Sequence, residues 1–315
     1  MSLEGIPIFP DSRQITLADR SLIDGLLVKY PSDTSEKTFG SIFIWRNYGG
    51  RSELSQLDGH LIISWYRARI GRTVLPPIGP DTVETIEKLF AHEGFKSQGF
   101  VGVFALLEPE VTALKVRGRS PEALRDEWDY VYRTEDLVKL EGSKYHTQRK
   151  ELSKATSQFQ MAFEPMKEVH RDACLALQET WCDLKHCSLD NLSAAEDRAL
   201  KEALDHMKDI GFFGGVALID GKIQALTLGE RLNANTAVVH FEKANPEIRG
   251  IYQFINQQFC EHALKDFEFV NREQDVGEPG VRRAKEGYHP HHFAEKHILL
   301  AGQGTGLHQP ALGEH

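Results

Sequence analysis

The chain has 315 residues, 41% hydrophobic and 26% charged, and 37 Lys and Arg against 46 Asp and Glu leave a net charge of −9. That length fits about two domains with real cores, and the acidic balance argues against bulk affinity for nucleic acid or anionic membranes. The longest apolar runs (residues 212–219 and 297–301) fall well short of the roughly 18–20 residues of a membrane span. The N-terminus lacks the basic-then-apolar order of a secretory signal, and four cysteines are too few for a disulfide scaffold. A soluble, cytoplasmic, two-domain protein without an integral membrane segment is the expectation.

In chain order, residues 15–30 set Leu17, Leu22, Ile23, Leu26 and Leu27 at helical spacing. Residues 38–47 (TFGSIFIWRN) and 59–66 (GHLIISWY) are rich in β-branched and aromatic residues and predict strands, with a polar turn region between them. Residues 73–80 (TVLPPIGP) are held extended by proline and glycine. Asp81 is placed to cap a helix over 81–90, with Glu84 as its capping-box partner. A strand over 100–106 and a helix start at 121–126 follow.

The second half has clearer punctuation. Helices are expected over 166–183 and 194–210, and strands over 213–219 and 222–230 joined by Asp220-Gly221, a hairpin signal. A strand over 236–243, a long helix over 248–264, a strand over 267–271, a short helix over 281–288 and a last strand over 295–301 complete it. The order is mixed α/β, and a similar order precedes it, so two similar folds in tandem are expected. The domains are set at 1–150 and 151–302, with the polar, basic stretch 130–157 between the halves and a flexible tail over 303–315.

Three stretches can carry chemistry. The first is HFEKANPEIRGIY (residues 240–252), where a strand runs through a loop into a helix. Free N–H groups and the dipole at a helix start suit a phosphate, Gly250 lets a ligand approach, and Arg249 adds charge. Glu242 can serve as a general base. The plain alternative is an ordinary helix start beside a surface Glu-Lys pair. The second is Asn271, Arg272, Glu273, Gln274 and Asp275 after an apolar strand, followed by Arg282 and Lys285: a polar cluster at one sheet end, where open α/β sheets bind ligands, or a solvated loop. The third is the basic run Lys139, Lys144, His146, Arg149, Lys150 and Lys154, either a seat for a phosphate-rich substrate or a solvated helix joining two domains.

Histidine and cysteine offer less. Cys182, His186 and Cys187 lie close together without a second pair at zinc-finger spacing. Cys174 and Cys260 read as small core residues, and His289, His291 and His292 as surface. No metal is expected. G-x-S-x-G, Walker and G-x-G-x-x-G motifs are absent.

DYVYRTEDLVKLEGSKYHTQRKELSKA (129–155), GGVALIDGKIQALTLGERLNANTAVVHFEKANPEIRGIYQFIN (214–256) and FVNREQDVGEPGVRRAKEGYHP (269–290), together with WRNY (45–48) and LPPIG (75–79), resemble the soluble proteins of the phosphatidylglycerol lysyltransferase C-terminal domain family. The resemblance covers residues 15–300. It implies two GNAT-like acyl-CoA N-acyltransferase folds in tandem, as in the Fem aminoacyltransferases, with mixed central sheets flanked by helices (α/β, or α+β). Membrane-bound members move lysyl or alanyl groups from aminoacyl-tRNA to phosphatidylglycerol.

By this resemblance the function is acyl or aminoacyl transfer to an amine or hydroxyl acceptor, either a small molecule or a lipid headgroup. Aminoacyl-tRNA or acyl-CoA is the co-substrate, tRNA a possible partner, and no cofactor is tightly bound. Asn245, Arg249, Gly250 and Tyr252 fall where the fold holds the donor phosphate. Glu242 falls at the base position and Tyr288 at that of an acid. His240, Lys243, Asn271, Arg272, Glu273, Asp275 and Lys285 are expected to line the acceptor pocket, its acidic members suiting a cationic amino group. Two rival readings stand beside this one: a CoA-dependent N-acyltransferase on a small amine, and a non-catalytic module that binds a charged metabolite.

Overall fold

In the computed structural model, which describes residues 3–48, 52–67, 70–185 and 191–302, the chain divides into two units. Unit one comprises Met1–Ile15, Gly49–Arg125 and Glu295–His315; unit two comprises Thr16–Tyr48 and Asp126–Ala294. The strands are β1 (Arg13–Gln14), β2 (Glu53–Leu57), β3 (His60–Arg67), β4 (Gly71–Val74), β5 (Gly102–Leu106), β6 (Glu122–Ala123) and β7 (Asp129–Arg133). They continue with β8 (Met161–Pro165), β9 (Phe213–Ile219), β10 (Lys222–Arg231), β11 (Thr236–Ala244), β12 (Phe269–Asn271), β13 (His292–Ala294) and β14 (His297–Leu300).

Each unit holds one seven-stranded sheet: β1-β2-β3-β4-β5-β14-β6 in unit one and β8-β9-β10-β11-β12-β7-β13 in unit two. Both follow one plan. Four antiparallel strands lead to a parallel pair, β4 with β5 or β11 with β12, and two more antiparallel strands finish the sheet. The tandem repeat expected from element order is therefore present, as is the mixed α/β class. The boundary at 150 is not where the chain divides. β7 pairs with β12 and β13 in unit two, and β14 pairs with β5 and β6 in unit one, so the last strand of each repeat joins the other's sheet.

Four local expectations are corrected. Residues 38–47 form a helix, Phe39–Ile44, instead of a strand. Thr38 caps it by accepting from Ser41 N–H, and all six residues are buried, so the apolar run has no periodicity to separate helix from strand. The polar turn region before residue 59 contains β2, which pairs with β3 across a turn at Asp58 and Gly59. Asp81 precedes the helix Thr82–Ala91 but makes no side-chain cap, and Glu84 pairs with Lys88 at 2.9 Å. Residues 121–126 begin with β6 and continue into a short 3-10 turn, Arg125–Glu127.

The stretch 130–157 is part of unit two and not a linker. It supplies β7, whose Tyr130 and Tyr132 are fully buried, and the helix His146–Gln158. In unit two the helix Ile251–Ala263 packs across β8 to β11. Neighbouring residues of a strand point to opposite faces. Glu242 accordingly meets Asn256 of that helix, while Lys243 meets Trp181 and Glu196 of the helices Arg171–Lys185 and Asn191–Asp205. No helix among the described residues is long and apolar enough to cross a membrane.

Candidate functional site

β11 and β12 pair in parallel only from Thr236 with Phe269 to Val238 with Asn271. Beyond that point β11 runs on to Ala244, while the chain leaves β12 at Asn271 and enters the loop that begins at Arg272. The sheet thus opens at the carboxyl ends of its two parallel strands, a usual place for a ligand. On its other side β11 slips by one residue against β10: Leu228 faces Phe241, but Gly229 faces Val239, leaving His240 as a bulge. A bulge re-aims a side chain.

His240 is held from both ring nitrogens, Nε2 at 2.9 Å from Glu230 Oε1 and Nδ1 at 2.7 Å from Glu273 Oε1, and its side chain is 1% exposed. Its ring stacks on Phe212. Burial alone lowers the pKa of an imidazole, but hydrogen bonds and charge from Glu230 and Glu273 outweigh it and raise this one to about 10. Glu230 is fixed in turn by the N–H groups of Gly40 (3.3 Å) and Ser41 (3.1 Å). A Cβ at Gly40 would overlap Phe212 and the Glu230 carboxylate, so only glycine lets the backbone come this close.

Arg272 crosses the open end of the sheet. Its Nη2 donates to Glu242 Oε1 at 2.9 Å, and its guanidinium lies 5.8 Å from the Tyr132 ring centre and 5.1 Å from that of Tyr288. The other Glu242 oxygen accepts from Asn256 Nδ2 at 3.3 Å. Tyr288 is buried, and its hydroxyl has no hydrogen-bond partner among the described residues. Burial raises its pKa, so the phenol is neutral and a donor at ordinary pH. Glu242 and Tyr288, the two residues placed at base and acid positions, are thus brought to one guanidinium.

The loop after β12 is pinned from several sides. Lys285 Nζ donates to three successive carbonyls, those of Arg272 (2.6 Å), Glu273 (3.1 Å) and Gln274 (2.5 Å). Burial lowers the Lys285 pKa to about 8, against the pull of the Glu273 charge. Glu273 itself lies in the left-handed region, φ 56°. Asp275 accepts from the Tyr130 hydroxyl at 2.6 Å and from Arg282 at 2.8 and 2.9 Å. Burial raises a carboxyl pKa, but these partners bring Asp275 down to about 2. Asn271 is fully buried and donates to Asp129 and to the Asp33 carbonyl. Of the seven residues expected to line an acceptor pocket, Asn271, Glu273, Asp275 and Lys285 build the loop that presents Arg272, and His240 braces it. Lys243 is on the opposite face, 2.8 Å from Glu196 and 3.8 Å over the Trp181 ring.

The junction at 245–252 is closed by partners within unit two. Asn245 shapes the turn by accepting from Glu247 N–H and donating to Gln224. Arg249 is 70% exposed and ion-paired with Glu151. Gly250 has φ 85°, and a Cβ there would overlap the Glu151 carbonyl and approach Ala155 at 2.9 Å, so its glycine has a packing reason. Tyr252 hydroxyl accepts from Trp181 Nε1 and donates to the Ala244 carbonyl.

The basic run is largely self-paired: Lys139 with Glu135, Lys144 with Asp136, Lys154 with Glu151, and Arg149 on the Leu140 and Gly142 carbonyls. Cys174 and Cys260 are buried, as expected of core residues, and burial pushes both thiols up to about 12. His289, His291 and His292 are exposed, also as expected. His186 and Cys187 lie outside the described residues. No group of three metal-ligating side chains occurs among the described residues.

Sequence reasoning missed Glu230, Tyr132 and Asn256. Asn256 had a signal: it is a lone amide on an apolar helical face with Tyr252, Ile255, Phe259 and Cys260.

Residues 28–300 match the family model described as phosphatidylglycerol lysyltransferase, C-terminal. Among solved structures, a conserved protein of unknown function from Bacteroides thetaiotaomicron is 27% identical with a TM-score of 0.84, covering 92% of this chain and 98% of that one. L-PGS from Bacillus licheniformis is 12% identical with a TM-score of 0.62, covering 96% of each chain. FemX shares the fold at 9% identity and a TM-score of 0.58, over 92% of this chain and 97% of that one. No curated protein matches. The chain belongs to the phosphatidylglycerol lysyltransferase C-terminal family, a family of acyltransferases by that description, and it shares its fold with L-PGS and FemX.

Proposed function

We propose that this chain transfers an acyl or aminoacyl group from an activated donor to an amine or hydroxyl acceptor at the open end of the unit-two sheet. The observation that carries the reading is the convergence on Arg272 of a carboxylate, Glu242, and a neutral phenol, Tyr288, whose hydroxyl has no partner among the described residues. Glu242 takes the acceptor's proton and Tyr288 protonates the leaving atom. An activated ester or thioester needs little beyond an oriented nucleophile, so positioning does most of the work.

Aminoacyl-tRNA is the donor that the family suggests. Acyl-CoA is the second reading, favoured by the self-paired basic run, which leaves few cations to neutralise an RNA backbone. A thermal-shift screen with charged tRNA, uncharged tRNA, acetyl-CoA and CoA, followed by product assay against a lipid headgroup and small amines, tests both. A ligand at a hundred times its dissociation constant adds about 2.7 kcal/mol of stability. A shift with charged tRNA supports aminoacyl transfer, and one with CoA species alone supports the second reading. Stabilisation without any transfer would count against an enzyme.

A further inference from the structure

Arg272 has a feature that its pairing with Glu242 leaves unexplained. Its side chain is 12% exposed, yet its Nη1 is buried and has no hydrogen-bond partner among the described residues. Two more buried atoms beside Glu242 share that state. Asn256 Oδ1 belongs to the residue that donates to Glu242, and Thr227 Oγ1 belongs to the residue directly opposite Glu242 in the β10–β11 register. Buried polar atoms are nearly always paired, and each exception calls for a reason. Leaving one unpaired costs roughly 1–3 kcal/mol, more when it is charged. Here three surround one carboxylate.

The rest of Arg272 is fixed. Two aromatic rings flank the guanidinium, Glu242 takes one end, and Lys285 holds its carbonyl together with the next two. A charged N–H held without a partner by a side chain fixed in this way is suited to a developing negative charge.

We infer that Arg272 is a catalytic residue whose Nη1 N–H receives the oxyanion formed during transfer. This rests on the acyl-transfer reading above and adds its electrophilic half. The acceptor's nitrogen or oxygen bonds to the donor's carbonyl carbon, and the carbonyl π pair moves onto oxygen, which accepts from Arg272 Nη1. Glu242 takes the proton that the nucleophile releases. On collapse the C=O re-forms and the bond to the donor's leaving oxygen or sulfur breaks. That atom departs with the Tyr288 proton, and the proton on Glu242 restores Tyr288. Asn256 Oδ1 is free to accept a second hydrogen of an amine nucleophile.

The test uses protein labelled with [15N]arginine, its Arg272 guanidinium signal assigned with R272K, and methylphosphonate as a tetrahedral oxyanion probe. Methylphosphonate is expected to shift the Arg272 signal. In the transfer assay, R272K keeps its melting temperature and the donor KM within about threefold, and its kcat falls about 10²–10³-fold. An Arg272 signal unmoved by methylphosphonate, or an R272K kcat within about threefold of the parent, overturns the inference while leaving the acyl-transfer reading intact. A moving signal in a parent protein that transfers nothing from either donor class leaves the anion-binding assignment standing and sinks the acyl-transfer reading.

Discussion

In unit one, β4 ends at Val74, and the chain turns back through two prolines so that Ile78 pairs with Leu61. Val74, Val103, Leu106, Ile86 and Leu89 fill that region with an apolar core. In unit two the corresponding strand, β11, continues past its last pairing with β12 and carries His240, Glu242 and Lys243, each with an opposite charge beside it. One strand plan therefore supports two contents. Apolar packing contributes directly to stability, whereas buried ion pairs contribute little net stability because desolvation offsets attraction. Charges kept in the second sheet at that disadvantage point to chemistry there, while Val74, Val103 and Leu106 pack the matching place among the described residues of the first.

The comparison breaks most visibly at His240. Replacing it by Leu leaves the buried Glu230 and the half-buried Glu273 carboxylates without their cation and should cost about 3–5 kcal/mol in a denaturant titration. The pH dependence has a definite sign. With the folded pKa raised to about 10, His240 contributes fully below the unfolded value near 6.5, and that contribution is lost as pH rises towards 10. Parent stability should fall across that window and His240→Leu should flatten the slope; identical slopes would contradict the clamp.

Two tyrosines sharpen the contrast between groups that hold the site and groups that act in it. Tyr130→Phe removes the hydroxyl bonded to the buried Asp275 carboxylate at 2.6 Å, so a loss of about 1.5–3 kcal/mol is expected. Tyr288→Phe removes a hydroxyl with no partner among the described residues and should change stability by less than about 0.5 kcal/mol while slowing transfer. Equal stability losses for both would erase the distinction. Between them in size comes Gly250→Ala, expected to cost more than about 1 kcal/mol because φ is positive and Glu151 is in the way. A stable Gly250→Ala protein that no longer binds donor would instead restore the glycine to a ligand-contacting role.

Much of unit two was legible because its elements carry strong local signals. The hairpin at Asp220-Gly221, the strand Phe213–Ile219 and the long helix beginning near Ile251 fall close to where turn chemistry and periodicity put them. The helix Phe39–Ile44 was not legible, since six consecutive buried residues erase the period that tells helix from strand. The exchange of β7 and β14 was hidden for another reason: a strand's sequence shows that it pairs, not with which sheet. At the site, Glu242 and Arg272 were visible as chemical types near strand ends, and Tyr288 only through the family resemblance, at the end of a short helix. Their convergence was not, because it depends on a bulge, a parallel pair that ends early, and a lysine reaching three carbonyls from a neighbouring helix.

The most direct test of a single transfer site in unit two is the kinetics of Glu242→Gln with the donor identified by the ligand screen. The substitution keeps size and one acceptor oxygen for Arg272, and removes the base. Transfer should slow about 10²–10⁴-fold with donor affinity nearly unchanged. Turnover at the parent rate, or an equal loss of turnover and donor binding, would contradict the account.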